Sequence, residues 1–235
     1  MSLFAGTSGF SYASWKGTFY PETLAGSKML AYYAERLTGV ELNGSFYRTP
    51  PEKTLLKWAA DTSPGFRFCM KANRGLTYSA EAFDKVGLAR IFSERIAVLG
   101  ERLGPVLLQF PPTRQKNLSL LDSLLGALNR PAAAEFRHDS WFDEDTYGVI
   151  QRHGGALVVT DEAKWPRAPL VDLGSVAYFR LRRGYTTASL RPWVADINSA
   201  LATHSEVHVY FKHDPASPGL ARRLLRLAGK ESGSR

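Results

Sequence analysis

The chain has 235 residues, of which 44% are hydrophobic and 22% are charged, and this balance excludes an intrinsically disordered or collagen-like protein. Its one cysteine, Cys69, excludes an internal disulfide and a cysteine-rich zinc site. The formal net charge of +8 favours an anionic partner, either an anionic small molecule or a nucleic acid.

The first residues have no basic segment ahead of an apolar stretch, so they do not match a secretory signal peptide. The sequence also has no run of eighteen apolar residues, which is the shortest stretch expected to span a bilayer. These patterns predict a cytoplasmic protein that has no membrane partner. They predict no particular oligomeric state.

Eight short runs of apolar or β-branched residues recur along the chain, which is typical of buried strands. Segments with helical spacing separate most of them. The predicted strands lie at 3–8, 39–43, 66–71, 105–110, 133–137, 156–161, 176–181 and 207–212. The predicted helices lie at 27–37, from Thr49 onward, at 79–103, 118–128, 143–153, 192–203 and 217–228.

Two local patterns refine these helices. Thr49-Pro50-Pro51-Glu52 matches a capping box, with Thr49 as the cap and Glu52 reaching back to it. Residues 162–175 follow the sixth strand and contain Pro166 and Pro169, which forbid a regular helix there.

Strands that alternate with helices, in eight units, predict an α/β protein with a single (β/α)8 TIM-type barrel and an irregular sixth βα unit. The predicted domain spans residues 1–228, and residues 229–235 form a predicted flexible C-terminal tail. A doubly wound open sheet is the alternative, although no Gly-x-Gly-x-x-Gly motif follows a strand.

Polar residues end several of the predicted strands, where the loops of a barrel build its active face. Because side chains alternate along a strand, Glu41 and Asn43 share one direction, and so do Glu135 and Arg137. The predicted catalytic residues are Glu41, Asn43, Glu135 and Arg137. Glu41 and Glu135 form the predicted acid–base pair, and Arg137, together with Lys71, stabilises developing negative charge.

The other polar strand ends give the predicted site an excess of positive charge. Three acidic and five basic groups are expected to converge there, which leaves a net charge of +2 and favours an anionic ligand. Arg180, Arg182 and Lys212 form the predicted anion clamp, since arginine forks match phosphate oxygens. Neighbouring large rings are candidates for holding a sugar or an unstacked base. The predicted substrate-binding residues are Lys71, Gln109, Asp161, Arg180, Arg182, Lys212, Tyr12, Trp15, Tyr47, His138 and Trp141.

Motifs at these strand ends carry a family resemblance. They include Gly6-Thr7-Ser8-Gly9-Phe10-Ser11-Tyr12, Trp15-Lys16-Gly17, Val40-Glu41-Leu42-Asn43, Gln109-Phe110-Pro111-Pro112 and Glu135-Phe136-Arg137-His138. Together they resemble the domain of unknown function 72 family, also called YecE-like, from the first strand to the eighth. The resemblance implies a barrel fold and implies no specific activity.

This chain departs from the family pattern at two strand ends. The family usually has Arg-Leu-His-Gly after the seventh strand, where this chain has Arg182 and Arg183 before Gly184. Its eighth strand commonly ends Phe-Asn-Asn-Asp, where this chain has Lys212 and His213. Both departures add positive charge, which is compatible with stronger anion binding.

The sequence therefore predicts an enzyme that acts on a phosphate-bearing substrate, a nucleic acid or a sugar phosphate, by carboxylate acid–base chemistry with an arginine and lysine clamp. A non-catalytic nucleic-acid-binding protein is the first alternative. A carboxylate-bound divalent-metal hydrolase or isomerase is the second. No cofactor or metal site is predicted, and only the last alternative requires Mg²⁺.

Overall fold

The computed structural model describes residues 1–79 and 83–229. Eight strands lie within two residues of their predicted places, because runs of small, β-branched and aromatic residues are buried there. They are β1 (Ser2–Thr7), β2 (Gly39–Leu42), β3 (Arg67–Met70), β4 (Val106–Gln109), β5 (Ala132–Glu135), β6 (Ala156–Asp161), β7 (Val176–Leu181) and β8 (Glu206–Phe211).

Helices follow most of the strands. They are α1 (Met29–Ala34), α2 (Glu52–Ala60), α3 (Arg74–Thr77), α4 (Lys85–Ile96), α5 (Leu118–Leu128), α6 (Glu144–Arg152), α7 (Thr187–Thr203) and α8 (Ser217–Leu227). Residues 162–175 contain no helix, as their two prolines predict. Within the described ranges, no helix has both the length and the apolar character needed to cross a membrane.

Several helix boundaries differ from the prediction. The capping box at Thr49 is wrong: α2 begins at Glu52 after Pro51, and no side chain caps it. Helix α7 begins five residues before the predicted start, because Thr186 and Ser189 form a reciprocal capping box and Pro192 lies inside the helix. Parts of the predicted 79–103 helix and of the predicted C-terminal tail, residues 80–82 and 230–235, lie outside the described residues.

The hydrogen-bonded strands form two parallel sheets. One has six strands in the order β1-β8-β7-β6-β5-β4, and the other pairs β2 with β3. The prediction of a closed (β/α)8 barrel is therefore wrong. The fold is α/β, with a six-stranded sheet and a separate two-stranded sheet.

Side chains and a proline explain the two interruptions. Between β1 and β2, the amide of Ala5 donates to the Thr38 hydroxyl at 2.8 Å, and the amide of Thr7 donates to the Tyr33 hydroxyl at 2.8 Å. These donors are thus satisfied by side chains and do not pair with a neighbouring strand. Before β4, Pro105 has no amide hydrogen to donate. Isolated bridges, Ser8 to Glu41 and Phe68 to Leu103 among them, remain at the interruptions.

The strands separate two groups of buried residues. The larger group includes Phe68 and Met70 and packs with the helices. A smaller group lies on the opposite side of the strands and comprises Cys69, Leu107, Ala133, Ala156, Val158, Val176, Tyr178 and Tyr210. Because side chains alternate, residues two positions beyond members of the smaller group share its side. Lys71, Gln109, Glu135 and Arg180 occupy such positions.

Candidate functional site

A buried ion triad forms the centre of the candidate site. The guanidinium group of Arg180, which is 2% exposed, lies between the carboxylates of Glu41 and Glu135. Its Nη2 and Nε atoms donate to the two oxygens of Glu41 at 2.7 and 2.9 Å, and its Nη1 donates to Glu135 Oε2. Three strands, β2, β5 and β7, therefore meet through one arginine fork.

Glu41 accepts hydrogen bonds on both carboxylate oxygens. Besides Arg180, its donors are the Ser8 hydroxyl at 2.7 Å, the Asn43 amide at 3.3 Å and the Tyr178 hydroxyl at 2.9 Å. Burial by itself would raise the pKa of Glu41, but the charge and hydrogen bonds of Arg180 outweigh burial and lower the pKa to about 2. Glu41 is therefore ionised near neutral pH, and both of its carboxylate oxygens already accept hydrogen bonds.

Glu135 has a similar environment. Gln109 Nε2 donates to its Oε1 at 2.9 Å, and Arg137 Nε donates to the same oxygen at 3.1 Å. Burial opposes ionisation, yet Arg180 and Arg137 lower the pKa of Glu135 below its ordinary value. These contacts do not favour the predicted acid–base role of Glu41 and Glu135, because a general base needs a free lone pair and a pKa nearer the working pH.

Lys71 extends the triad toward the ends of the strands. Its Nζ donates to Gln109 Oε1 at 2.8 Å and lies 4.1 Å from the centre of the Phe46 ring. Gln109 is fixed in this orientation because its amide nitrogen already donates to Glu135. Burial is the main reason that the pKa of Lys71 falls to about 8, and the charge of Arg180 adds to it.

Arg182 lies on the other side of the triad. Its Nη1 donates to the Ser8 hydroxyl oxygen at 2.6 Å, and the Tyr12 hydroxyl donates to the Ser8 carbonyl oxygen at 2.7 Å. Burial and the charge of Arg180 lower the pKa of Arg182 below its ordinary value. We refer to Glu41, Lys71, Gln109, Glu135, Arg137, Arg180 and Arg182 as the charged cluster.

The charged cluster has more cations than anions. Its two carboxylates face four basic side chains, which leaves a formal charge of +2. Among the ion pairs of the described residues, Arg180 pairs with both Glu41 and Glu135, and Arg137 pairs with Glu135. Lys71 and Arg182, in contrast, bond only to uncharged oxygens. The buried Oδ1 atom of Asn43 also has no hydrogen-bond partner in the described structure.

Other predicted site residues lie apart from the triad. Asp161 accepts from the Tyr185 hydroxyl at 2.6 Å and pairs with Arg183 at 2.9 Å. His138 Nδ1 bonds to Ser140 at 2.9 Å, in the turn that follows β5. Lys212 donates its backbone amide to Leu181 at the end of β7.

The predicted aromatic residues divide into core and surface. Trp15 and Trp141 are fully buried, and their indole N–H groups donate to backbone carbonyls at 3.2 and 2.8 Å, so their contacts are those of core residues. Tyr47 is 73% exposed. Tyr12 is partly buried beside the charged cluster, and its ring stacks on that of His213 at 5.4 Å.

Three contributors were not predicted from the sequence, and the first is Ser8, which donates to Glu41 and accepts from Arg182. Tyr178, which donates to Glu41, lies two residues before Arg180 in β7, so strand alternation was the available signal. Tyr78, whose hydroxyl lies 3.4 Å from Gln109 Oε1, falls just before a segment interpreted as a long helix, and no pattern distinguished it.

The arrangement does not suit a divalent metal. In residues 1–79 and 83–229, no group of three or more His, Cys, Asp or Glu side chains is arranged to hold a metal ion. Glu41 and Glu135 would be the carboxylate ligands, but Arg180 donates to both of them. A metal ion there would have to displace the guanidinium group.

Comparisons with known proteins agree with the motifs. The family model described as "Protein of unknown function DUF72" matches residues 4–234, which confirms the resemblance. The chain is similar to the UPF0759 protein YecE of Escherichia coli K12, with 31% identity over 128 residues, 54% of this chain. That match covers 43% of YecE, less than half of its length.

Solved structures of two DUF72 family proteins share the fold. The Thermotoga maritima protein is 29% identical, with a TM-score of 0.82, over 97% of this chain and 98% of its own. The Enterococcus faecalis protein is 19% identical, with a TM-score of 0.83, over 99% of this chain and 97% of its own. The second likeness is evidence of fold alone.

Proposed function

The chain belongs to the DUF72 family, whose function is unknown, and we propose that its charged cluster is the active site of an enzyme that binds a phosphate-bearing substrate. One observation carries the proposal: two recessed cations, Lys71 and Arg182, have no carboxylate partner among the described residues. Glu41 and Glu135 attract both cations from a distance, but neither cation has a directly paired anion among the described residues, so a ligand anion would stabilise both groups.

In this proposal each residue has a role. Lys71 and Arg182 follow the ends of different strands, β3 and β7, and both would contact the bound anion. Arg180 is engaged by Glu41 and Glu135, so in this proposal it balances their charge and does not contact the substrate. Asn43 donates to Glu41 and so helps to hold that carboxylate in place.

Lys71 is the group best suited to proton transfer. Its pKa of about 8 lies near neutral pH, where general acids and bases work most effectively. Gln109 and Glu135 are positioning residues, because Glu135 orients the Gln109 amide and Gln109 then accepts from Lys71. In this proposal Lys71 replaces the two glutamates as the acid–base residue, and no metal is assigned.

Adjacent arginines provide a matched test. Arg182→Ala removes a cation of the charged cluster, whereas Arg183→Ala removes one that is about half exposed and paired with Asp161. Sulfate binding, measured by isothermal titration calorimetry at pH 7, should weaken at least about tenfold in Arg182→Ala and by less than twofold in Arg183→Ala. Equal sulfate affinity in the two variants would refute the anion site.

Catalysis requires a separate measurement. Phosphate monoesters and sugar phosphates are screened for turnover by the wild type, and Lys71→Met is compared on any compound that reacts. We expect Lys71→Met to lose at least about a hundredfold in kcat, since general acid–base residues contribute roughly that much. A sulfate site that turns over none of these compounds would support a binding protein instead of an enzyme.

A further inference from the structure

A cavity of about 300 Å³ is lined in part by Tyr47, whose neighbour Phe46 contacts Lys71 of the charged cluster. It is formed by the turn after β2, by the start of α3 and by one face of α4. Its lining includes Tyr47, Arg48, Asn73, Ile91 and Arg95. We call it the rim cavity. Its volume lies at the small end of the range for ligand pockets, which suits one ring system better than a large ligand.

We propose that the rim cavity binds the aromatic base of a nucleotide whose phosphate occupies the charged cluster. This inference rests on the anion-binding function proposed above and specifies its substrate class. The occupant is argued from three features: the exposed apolar surface, the cationic lining and the contact that Phe46 makes with both Tyr47 and Lys71.

The apolar surface is unusually open. Tyr47 is 73% exposed and Ile91 is 58% exposed, although most large apolar residues of this chain are buried. An exposed aromatic face next to an aliphatic side chain is a stacking platform for a planar ring. Stacking tolerates any base, so the cavity does not by itself select one base.

The charges of the lining complement a nucleotide. Two of the residues named above, Arg48 and Arg95, are cationic, and the cavity has no acidic residue among those that line it. Guanidinium groups stack on planar rings and bind phosphate oxygens, so they suit both parts of a nucleotide. Asn73 accepts from the Gly75 amide through Oδ1 at 2.9 Å, which leaves its amide nitrogen as a donor for a base edge.

A chain of aromatic contacts joins the rim cavity to the charged cluster. The Phe46 ring lies 4.1 Å from Lys71 Nζ on one side and 5.2 Å from the Tyr47 ring on another. Tyr78 packs edge-on against Phe46 at 5.1 Å, and its hydroxyl reaches Gln109. Phe46 therefore contacts both Lys71 and Tyr47, and in this proposal the ribose passes over Phe46 between the base and the phosphate.

The test compares ligands that share a phosphate and differ in the base. Inorganic phosphate, ribose 5-phosphate and adenosine 5′-monophosphate are titrated into the wild type by calorimetry. We expect the monophosphate to bind about tenfold or more tightly than ribose 5-phosphate, because stacking of one base contributes an effect of that size. A short single strand with a 5′-phosphate is a further arm, and tighter binding of the strand than of the monophosphate would assign the site to a strand end.

Variants of one residue localise the effect. Tyr47→Ala should abolish the preference for the monophosphate while inorganic phosphate affinity stays within twofold, and Tyr47→Phe should retain the preference. Leu56→Ala changes another exposed apolar residue, on α2, and should have no effect. Equal binding of the monophosphate and ribose 5-phosphate, or a preference that survives in Tyr47→Ala, would overturn the inference while leaving the anion site intact. Absence of inorganic phosphate binding would overturn the proposed function itself.

Discussion

The two ends of the strands bury polar groups in different ways. At the carboxyl ends, the charged cluster has a formal charge of +2, and two of its cations have no carboxylate partner within residues 1–79 and 83–229. At the amino ends, the members of a second set of polar groups form hydrogen bonds and an ion pair with one another. We call it the amino-end cluster, and it comprises Arg67, Cys69, Glu206, His208 and Tyr210.

Every member of the amino-end cluster has a partner within it. Arg67 pairs with Glu206 at 3.3 Å, and His208 bonds to Glu206 at 3.0 Å. Cys69 Sγ lies 3.4 Å from His208 Nδ1 and 3.2 Å from the Tyr210 hydroxyl. Burial raises the pKa of the Cys69 thiol, which disfavours the thiolate that a nucleophile requires.

The difference in charge balance between the two clusters distinguishes a structural set of contacts from a candidate ligand site. Buried polar contacts occur at both ends, so burial and hydrogen bonding do not by themselves identify function. The amino-end cluster has one carboxylate for its one guanidinium group, whereas the charged cluster has four basic side chains for two carboxylates. An excess of positive charge that no nearby carboxylate of the described chain pairs with is what points to a ligand.

The largest expected effect comes from removing the central arginine. Arg180→Met leaves Glu41 and Glu135 buried without their counter-charge, and the free energy of unfolding should fall by about 3–5 kcal/mol. Arg67→Met at the amino ends breaks a partly exposed pair and should cost only about 1 kcal/mol. Urea denaturation of both variants measures the contrast, and a smaller loss in Arg180→Met would contradict it.

An intermediate effect is expected in the pH dependence of anion binding. Lys71 loses its proton as pH rises through about 8, so the sulfate Kd should be constant at lower pH and increase by up to tenfold per pH unit above it. Lys71→Arg should move this increase to higher pH, since arginine remains charged. Sulfate titrations from pH 6 to 10 measure both profiles. A wild-type Kd that is flat across this range would exclude Lys71 from the anion site.

The smallest effect should come from the amino-end cluster. Burial lowers the pKa of His208 below its ordinary value of about 6.5, although Glu206 opposes the shift. The unfolded chain therefore binds more protons than the folded chain as pH falls below about 6.5, and stability should decrease there, by on the order of 1 kcal/mol. His208→Gln should flatten this decrease.

The matched control for that measurement is His153→Gln, which changes a histidine on α6's C-terminal side, outside the amino-end cluster. Unfolding free energies at pH 7.5 and 5.5 are compared for the three proteins. If His208→Gln retains the full decrease, other groups control the acid stability of the protein.

The sequence by itself determined the strands and the side on which their polar residues lie. The period of two in β-structure places Lys71 with Cys69 and Arg180 with Tyr178, and only local sequence is needed to see it. The motifs at the strand ends, from Gly6–Tyr12 to Glu135–His138, together indicated the family, which the family model over residues 4–234 confirms.

Only the tertiary structure decided which charges pair. Glu41, Glu135 and Arg180 come from positions up to 139 residues apart, and their distances depend on how the strands are arranged. That arrangement also separated β2 and β3 from the other six strands, because hydroxyl groups of Thr38 and Tyr33 satisfied amides of β1 and Pro105 has no amide hydrogen to donate before β4. Side chains and backbone carbonyls compete for the same amide donors only when distant segments meet. Local periodicity therefore contains no information on this competition.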